Sequence, residues 1–248
     1  MVKNYTEVFQ DKSAVDKYQD RTYAKGTYST IVSERQGTWL KAFIEEAFPD
    51  PPVHFDFACG TGRVARLVAG SVATTHGYDP SMAMLDKARS LGTPGELHHI
   101  EPAGDLPDIA ETGRHHLVTA FRLLLNVDES VRDRFMQFAA RALPTPESGL
   151  LVVENHGNAR SLRRLRKTFG RLDANMWFQE LSHAEVEALF ARHGFEIVSV
   201  HGFTLFTQGF YKQPIKAVAR PFDATFSGLL SRSCTDVVYV ARRKNSSG

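Results

Sequence analysis

Seven short strand-like runs alternate with helical stretches between residues 53 and 241, and this alternation constrains the fold most. The strand-like runs are Val53–Phe57, Ser71–Tyr78, Glu96–Ile100, His116–Phe121, Gly149–Glu154, Phe195–Val200 and Thr235–Ala241. Helical spacing of apolar residues fills 31–48, 63–69, 82–90, 131–143 and 183–193. Parallel neighbours need a crossover between them, and a helix is the usual crossover. The pattern therefore predicts an α/β, doubly wound, mostly parallel sheet with helices on both faces. It runs without a break from about residue 31 to 243, which reads as one domain. Residues 1–30 form an N-terminal extension, 204–234 an inserted segment, and 244–248 a disordered tail.

Composition agrees. The chain has 248 residues, 42% hydrophobic and 23% charged, so it can bury a sizeable core and is not a disordered chain. A net charge of +2 gives no general case for nucleic acid or membrane as partner. Cys59 and Cys234 cannot build a disulfide framework or a four-thiolate metal site. The first twenty residues lack an apolar signal core, and apolar runs stop at four or five residues. The expected location is the cytoplasm, with no membrane contact.

The chemistry concentrates in Asp56-Phe-Ala-Cys-Gly60-Thr-Gly62, where the first strand turns into a helix. Glycines there allow a tight turn and bring backbone N–H groups close to a ligand. Asp79, nineteen residues after Gly60 at the end of the second strand, is placed to accept two ribose hydroxyls. Gly60-Thr-Gly62-Arg-Val-Ala65 also fits the dinucleotide pattern, so an NAD(P)-dependent oxidoreductase is the alternative. Asp56 argues against it: a pyrophosphate gains nothing from a carboxylate four residues before the turn, whereas a ligand bearing an ammonium group does.

With these residues in view, the chain resembles the class I methyltransferases that use S-adenosylmethionine. Asp56 to Gly62 is similar to their first motif, and Gly77-Tyr-Asp-Pro-Ser-Met-Ala-Met-Leu85 to their second. The resemblance implies that Gly60 and Gly62 approach the cofactor, Asp56 lies near its amino-acid end, Asp79 and Pro80 face the ribose, and Met82 flanks adenine. It also implies an antiparallel last strand. Ala58 stands where many members have glycine. Phe121 ends the fourth strand beside the cofactor, and Glu101 or Asp105 occupies the place of an acid near the adenine amino group. S-adenosylhomocysteine would be the product. A member that binds cofactor without turnover is a further alternative.

Ligands in open α/β sheets sit at the carboxyl ends of the strands, which sorts the remaining residues. His156, after the fifth strand, is the candidate general base. His115 and His116 fall at the opposite end, His98 and His99 read as packed or solvated, and His183 and His193 bracket a helix. Arg122 follows the fourth strand and could clamp an acceptor's carboxylate or phosphate, or pair with Glu101 or Asp128. Tyr18, Tyr23 and Tyr28 could fold over the cofactor as a lid. Arg160, Arg163, Arg164, Arg166, Lys167 and Arg171 form a basic run that suits an anionic acceptor or, alternatively, RNA. No acid–histidine spacing near the site suggests a metal, so metal-independent transfer to an O or N atom of a small metabolite is expected, with links to natural product biosynthesis.

Overall fold

The computed structural model describes residues 11–24, 26–109, 113–161, 179–206, 210, 221–223 and 225–245. The chain enters through helix α1 (Lys12–Thr22), capped by the Asp11 side chain, and helix α2 (Tyr28–Ala47), capped by Thr27. Strand β1 (Val53–Phe57) leads into α3 (Arg63–Val68), β2 (Thr74–Asp79) into α4 (Met82–Ser90), and β3 (Glu96–His99) follows. Then come β4 (His116–Ala120), α5 (Glu129–Ala142), β5 (Gly149–Asn155), α6 (His183–Arg192), β6 (Phe195–Thr204) and β7 (Asp236–Arg243). Local chemistry sets these limits: Ser81 and Asp128 side chains accept from the first-turn N–H groups of α4 and α5. The capping box read at Ser182 and Glu185 forms as expected.

One seven-stranded sheet results, ordered β3-β2-β1-β4-β5-β7-β6. All pairings are parallel except those of β7, which runs antiparallel to both β5 and β6. The order reverses between β1 and β4. A crevice opens at such a switch point, beyond the carboxyl ends of the strands.

Alternation along each strand divides the core into two layers. On one face Phe55, Phe57, Val118, Leu151, Val153 and Tyr239 pack with Phe135 and Phe138 of α5 and Leu189 and Phe190 of α6. On the other, Leu117, Val152, Val238 and Val240 pack with Leu40 and Ile44 of α2 and Val64 and Val68 of α3. This second face also carries a polar thread. His54 Nδ1 lies 3.1 Å from Thr75 Oγ1 and its Nε2 2.9 Å from Thr119 Oγ1, and Thr119 donates to Asp56 Oδ1 at 2.6 Å. Because Thr119 spends its proton on Asp56, it accepts from His54 Nε2–H, and His54 Nδ1 accepts from Thr75. Burial holds the imidazole neutral, pushing its pKa down to about 3.

Several sequence expectations need adjustment. The first long helix starts at Tyr28 rather than Ile31, because Thr27 supplies the cap. His116 lies inside β4, and its Nδ1 sits 2.7 Å from the Ala142 carbonyl oxygen. His183 is a buried core residue as much as a helix-end residue, with Nδ1 2.5 Å from Tyr239 Oη. The inserted segment is described only at 204–206, 210, 221–223 and 225–234, and the tail only at Lys244 and Asn245. The basic run lies outside the described residues apart from Arg160, which is exposed.

Phe135 is fully buried and packs on Phe57, directly beneath the end of β1. Phe135→Ala is expected to cost about 3–5 kcal/mol of unfolding free energy, read by denaturant titration.

Candidate active site

A cavity of about 1100 Å³, part of it open to solvent, lies at the carboxyl ends of β1, β2 and β4. Its floor is the turn after β1. Ala58, Gly60 and Gly62 all take positive φ, at 58°, 55° and 74°. For Ala58 this backbone costs roughly 1–2 kcal/mol over glycine, so the departure from the family's usual glycine keeps the turn at a price. At Gly60 a Cβ would meet nothing within 4 Å, since the position faces the open cavity. Gly62 is needed for a second reason: a Cβ there would lie 2.4 Å from the Thr93 side chain.

Two buried carboxylates flank this turn. Asp79 Oδ2 accepts from Gly60 N–H and Oδ1 from Ser81 N–H, each at 2.8 Å. Asp56 Oδ1 accepts from Thr119, while Oδ2 is buried and has no hydrogen-bond partner among the described residues. Burial, only partly offset by the Thr119 bond, pushes the Asp56 carboxyl up to about 7. Burial likewise raises Asp79 to about 6 against its two N–H donors. An unpaired oxygen of this kind on a cavity wall is suited to a cationic group.

Arg122 begins the opposite wall, just past β4. Its φ of 60° is the second positive value at a non-glycine residue among those described, and both such residues line the cavity. Strain of this kind persists where the surroundings enforce it. The Arg122 N–H donates to Glu154 Oε2 at 2.8 Å, and Asn126 donates to the Arg122 carbonyl at 2.7 Å. Burial opposes the guanidinium charge, but Tyr23, Tyr18, Glu154 and Asp236 outweigh it and raise the pKa. The Arg122 Nε has no hydrogen-bond partner among the described residues. No ion pair of the Arg122 guanidinium with Glu101 or Asp128 is seen among the described residues; Glu154, on the neighbouring strand β5, accepts instead from the Arg122 backbone N–H.

Of the sequence-predicted site residues, Asp56, Ala58, Gly60, Asp79, Pro80, Phe121, Arg122 and Tyr23 line the cavity, together with Tyr18. Gly62, Met82, Glu101, Tyr28 and His156 are not on its wall. Met82 is 46% exposed at the start of α4, and the wall residue from that helix is Met84. Glu101 points to solvent beside His99, while Ile100 and Pro102 on either side of it face inward. Asp105 is exposed. Tyr28 donates to Asp236 Oδ2 at 2.5 Å, at the ends of β6 and β7. His156 is buried at the carboxyl end of β5.

Sequence reasoning missed a network behind the cavity. Gln36 donates to Glu154 Oε1 at 2.5 Å, and Arg63 donates to Gln36 Oε1 at 2.8 Å. The Arg63 guanidinium lies 5.5 Å from the Phe121 ring centre and 5.9 Å from that of Tyr23. Asp236 was legible in principle. An antiparallel strand begins where its parallel neighbours end, so the acid opening β7 falls at the productive edge.

The raised carboxyls fix the sign of a pH effect. Between about pH 4 and 7 the folded chain keeps protons on Asp56 and Asp79 that the unfolded chain releases, so stability falls as pH rises through that window. Denaturant titrations of the ligand-free protein across this range are expected to show the fall, and Asp56→Asn to flatten it; an equal slope in the variant would refute the assignment.

Comparison with known proteins agrees with this geometry. Residues 30–200 match a family model described as a methyltransferase domain. A curated N,N-dimethyltransferase of Streptomyces fradiae, acting on dTDP-3-amino-3,6-dideoxy-alpha-D-glucopyranose, is 32% identical over 123 residues. That match spans 48% of this chain and 46% of the relative, so about half of each is compared. Among solved structures, a methyltransferase of Thermotoga maritima described as a possible histamine N-methyltransferase has a TM-score of 0.61 at 18% identity, over 96% of this chain and 99% of that one. Magnesium protoporphyrin IX methyltransferase of Synechocystis PCC 6803 with bound S-adenosylhomocysteine has a TM-score of 0.57 at 15% identity, over 94% and 100%. The structural likenesses carry the fold, and the family model carries the membership: this chain belongs to the class I, S-adenosylmethionine-dependent methyltransferases.

Proposed function

We propose that this protein transfers a methyl group from S-adenosylmethionine to an amine nitrogen of a small, anionic metabolite, with a hydroxyl acceptor as the second reading. The unpartnered Asp56 oxygen on the cavity wall carries the donor side of this reading. Bound there, S-adenosylmethionine supplies a methyl group already activated on a sulfonium. Asp56 would hold its ammonium end. Asp79, fixed by Gly60 and Ser81, keeps lone pairs for the ribose hydroxyls. Met84, Ile100 and Pro102 offer an apolar wall to the base. A dinucleotide fits less well, because its pyrophosphate would meet the Asp56 charge.

In-line displacement from a sulfonium asks the protein chiefly to align the acceptor and exclude water. Tyr18 and Tyr23 line the cavity from the N-terminal extension, where a lid would lie. The extension is latched by a Lys87–Asp16 ion pair of 2.7 Å and by Thr61 donating to Gln19 at 3.0 Å. Arg122, with Nε unspent, is placed to hold an acceptor phosphate or carboxylate. The Streptomyces fradiae relative acts on the amine of a nucleotide-linked sugar, which supports both the nitrogen and the anion. An acceptor arriving as ammonium must lose a proton before it attacks. We assign that proton to His156, which is buried at the productive end of β5 off the cavity wall and so would take it through an intervening water rather than by direct contact. No metal takes part in this scheme.

Calorimetry with S-adenosylhomocysteine tests the donor side. Asp79→Asn is expected to weaken binding roughly 10–100-fold, the loss of one or two charge-assisted hydrogen bonds; undiminished affinity, or tighter binding of NAD(H), would overturn it. On the acceptor side, His156→Ala is expected to lower turnover of amino-sugar nucleotides by about 100-fold or more with donor affinity unchanged. Near-normal turnover would remove His156 from the mechanism. Tight donor binding with no transfer to any amine or hydroxyl would favour a non-catalytic member.

A further inference from the structure

At the outer edge of the sheet, away from the cavity, the β2–β3 pairing sets His76 opposite Glu96, with His98 two residues further along the same face. His76 Nδ1 and His98 Nε2 are 3.3 Å apart, and Glu96 Oε2 lies 3.6 Å from each. We infer that His76, Glu96 and His98 form a binding site for a divalent transition ion of the zinc class, unrelated to the methyl-transfer site.

The distances support this. Zinc binds imidazole nitrogen at about 2.0–2.1 Å and carboxylate oxygen at about 2.0–2.2 Å, so two corners of its tetrahedron are about 3.3–3.5 Å apart. The three atoms here span one face of such a figure. A shared proton between the imidazoles would account for the 3.3 Å contact but leave the Glu96 oxygen outside hydrogen-bond reach of both. A cation between them satisfies all three at once. Two nitrogens and one carboxylate oxygen also make a donor set that zinc takes, leaving a fourth position for water. Solvent reaches that position, since the Glu96 side chain is 69% exposed and His98 37%.

The rings are held ready. His76 stacks on Phe55 at 5.4 Å between centres, and His98 on Tyr78 at 4.9 Å. The sequence hid this group because twenty residues separate His76 from Glu96, and only strand register joins them. A bound ion would staple the four-residue edge strand β3 to β2, just before Ile100 and Pro102 reach the cavity wall.

The test is a Zn²⁺ titration of the tag-free full chain after chelator treatment, against a chromogenic competitor. One equivalent per chain is expected, together with a higher melting temperature in Zn²⁺. His98→Gln and Glu96→Gln are each expected to weaken binding by at least about tenfold, the loss that even an outer-shell partner can cause, and to abolish the thermal shift. S-adenosylhomocysteine binding should stay unchanged, which reports folding separately. If His98→Gln does not fold, the exposed Glu96→Gln carries the test. No saturable binding, or an undiminished equivalent in the folded variants, would overturn the site.

Discussion

A carboxylate buried at the centre of the sheet is the constraint on which the active site depends. Asp56 is the last residue but one of β1, at the switch point, and its burial works against its charge. The fold answers on one side only. Thr119 holds one oxygen, His54 holds Thr119, and Thr75 holds His54, a relay across β2, β1 and β4. The other oxygen has no partner among the described residues. Most buried polar groups are satisfied within the protein. One that is not, set above a turn of three left-handed residues, stores a cost that a cationic ligand can release. Binding the donor and completing the core become one event.

The wall opposite rests on Glu154 in the same way. That single side chain receives Gln36 from α2 and the Arg122 amide from the end of β4, and lies 3.8 Å from the Arg63 guanidinium of α3. Two helices of one face and the end of β4 thus meet on one carboxylate of β5. The positive φ of Arg122 follows from this tether, since the backbone must turn sharply to bring its N–H to β5. Strain at Ala58 and at Arg122 has a common setting: both lie where strand ends must expose backbone to a cavity.

The sheet was legible because its signal is local and repeated. Most strands announced themselves by β-branched and apolar residues, with β3, whose one apolar residue is Leu97, the weak case, and the helices by spacing and caps such as Ser182 with Glu185. The glycine turn and Asp79 stood out because residues of those types at that spacing have few other uses, and the structure brings them together on the cavity floor. Side chains that meet only through tertiary packing were not. Gln36, Arg63, Thr119 and Glu154 come from four elements, and nothing in their neighbourhoods marks them as partners. Met82 illustrates the limit at one residue: the helix could be placed from sequence, but which face its methionines turned inward depended on packing, and Met84 lines the cavity.

Helix α1 and Tyr23 lie outside the stretch matched by the family model, which begins at residue 30. The cavity is therefore assembled from two kinds of sequence. Its floor comes from the matched block, and part of its wall, Tyr18 and Tyr23, from the N-terminal flank outside it. Membership in the family speaks for the floor, where the donor chemistry is the same for all members. It is silent about Tyr18 and Tyr23, so two proteins alike in residues 30–200 can still differ in what borders the mouth of the cavity.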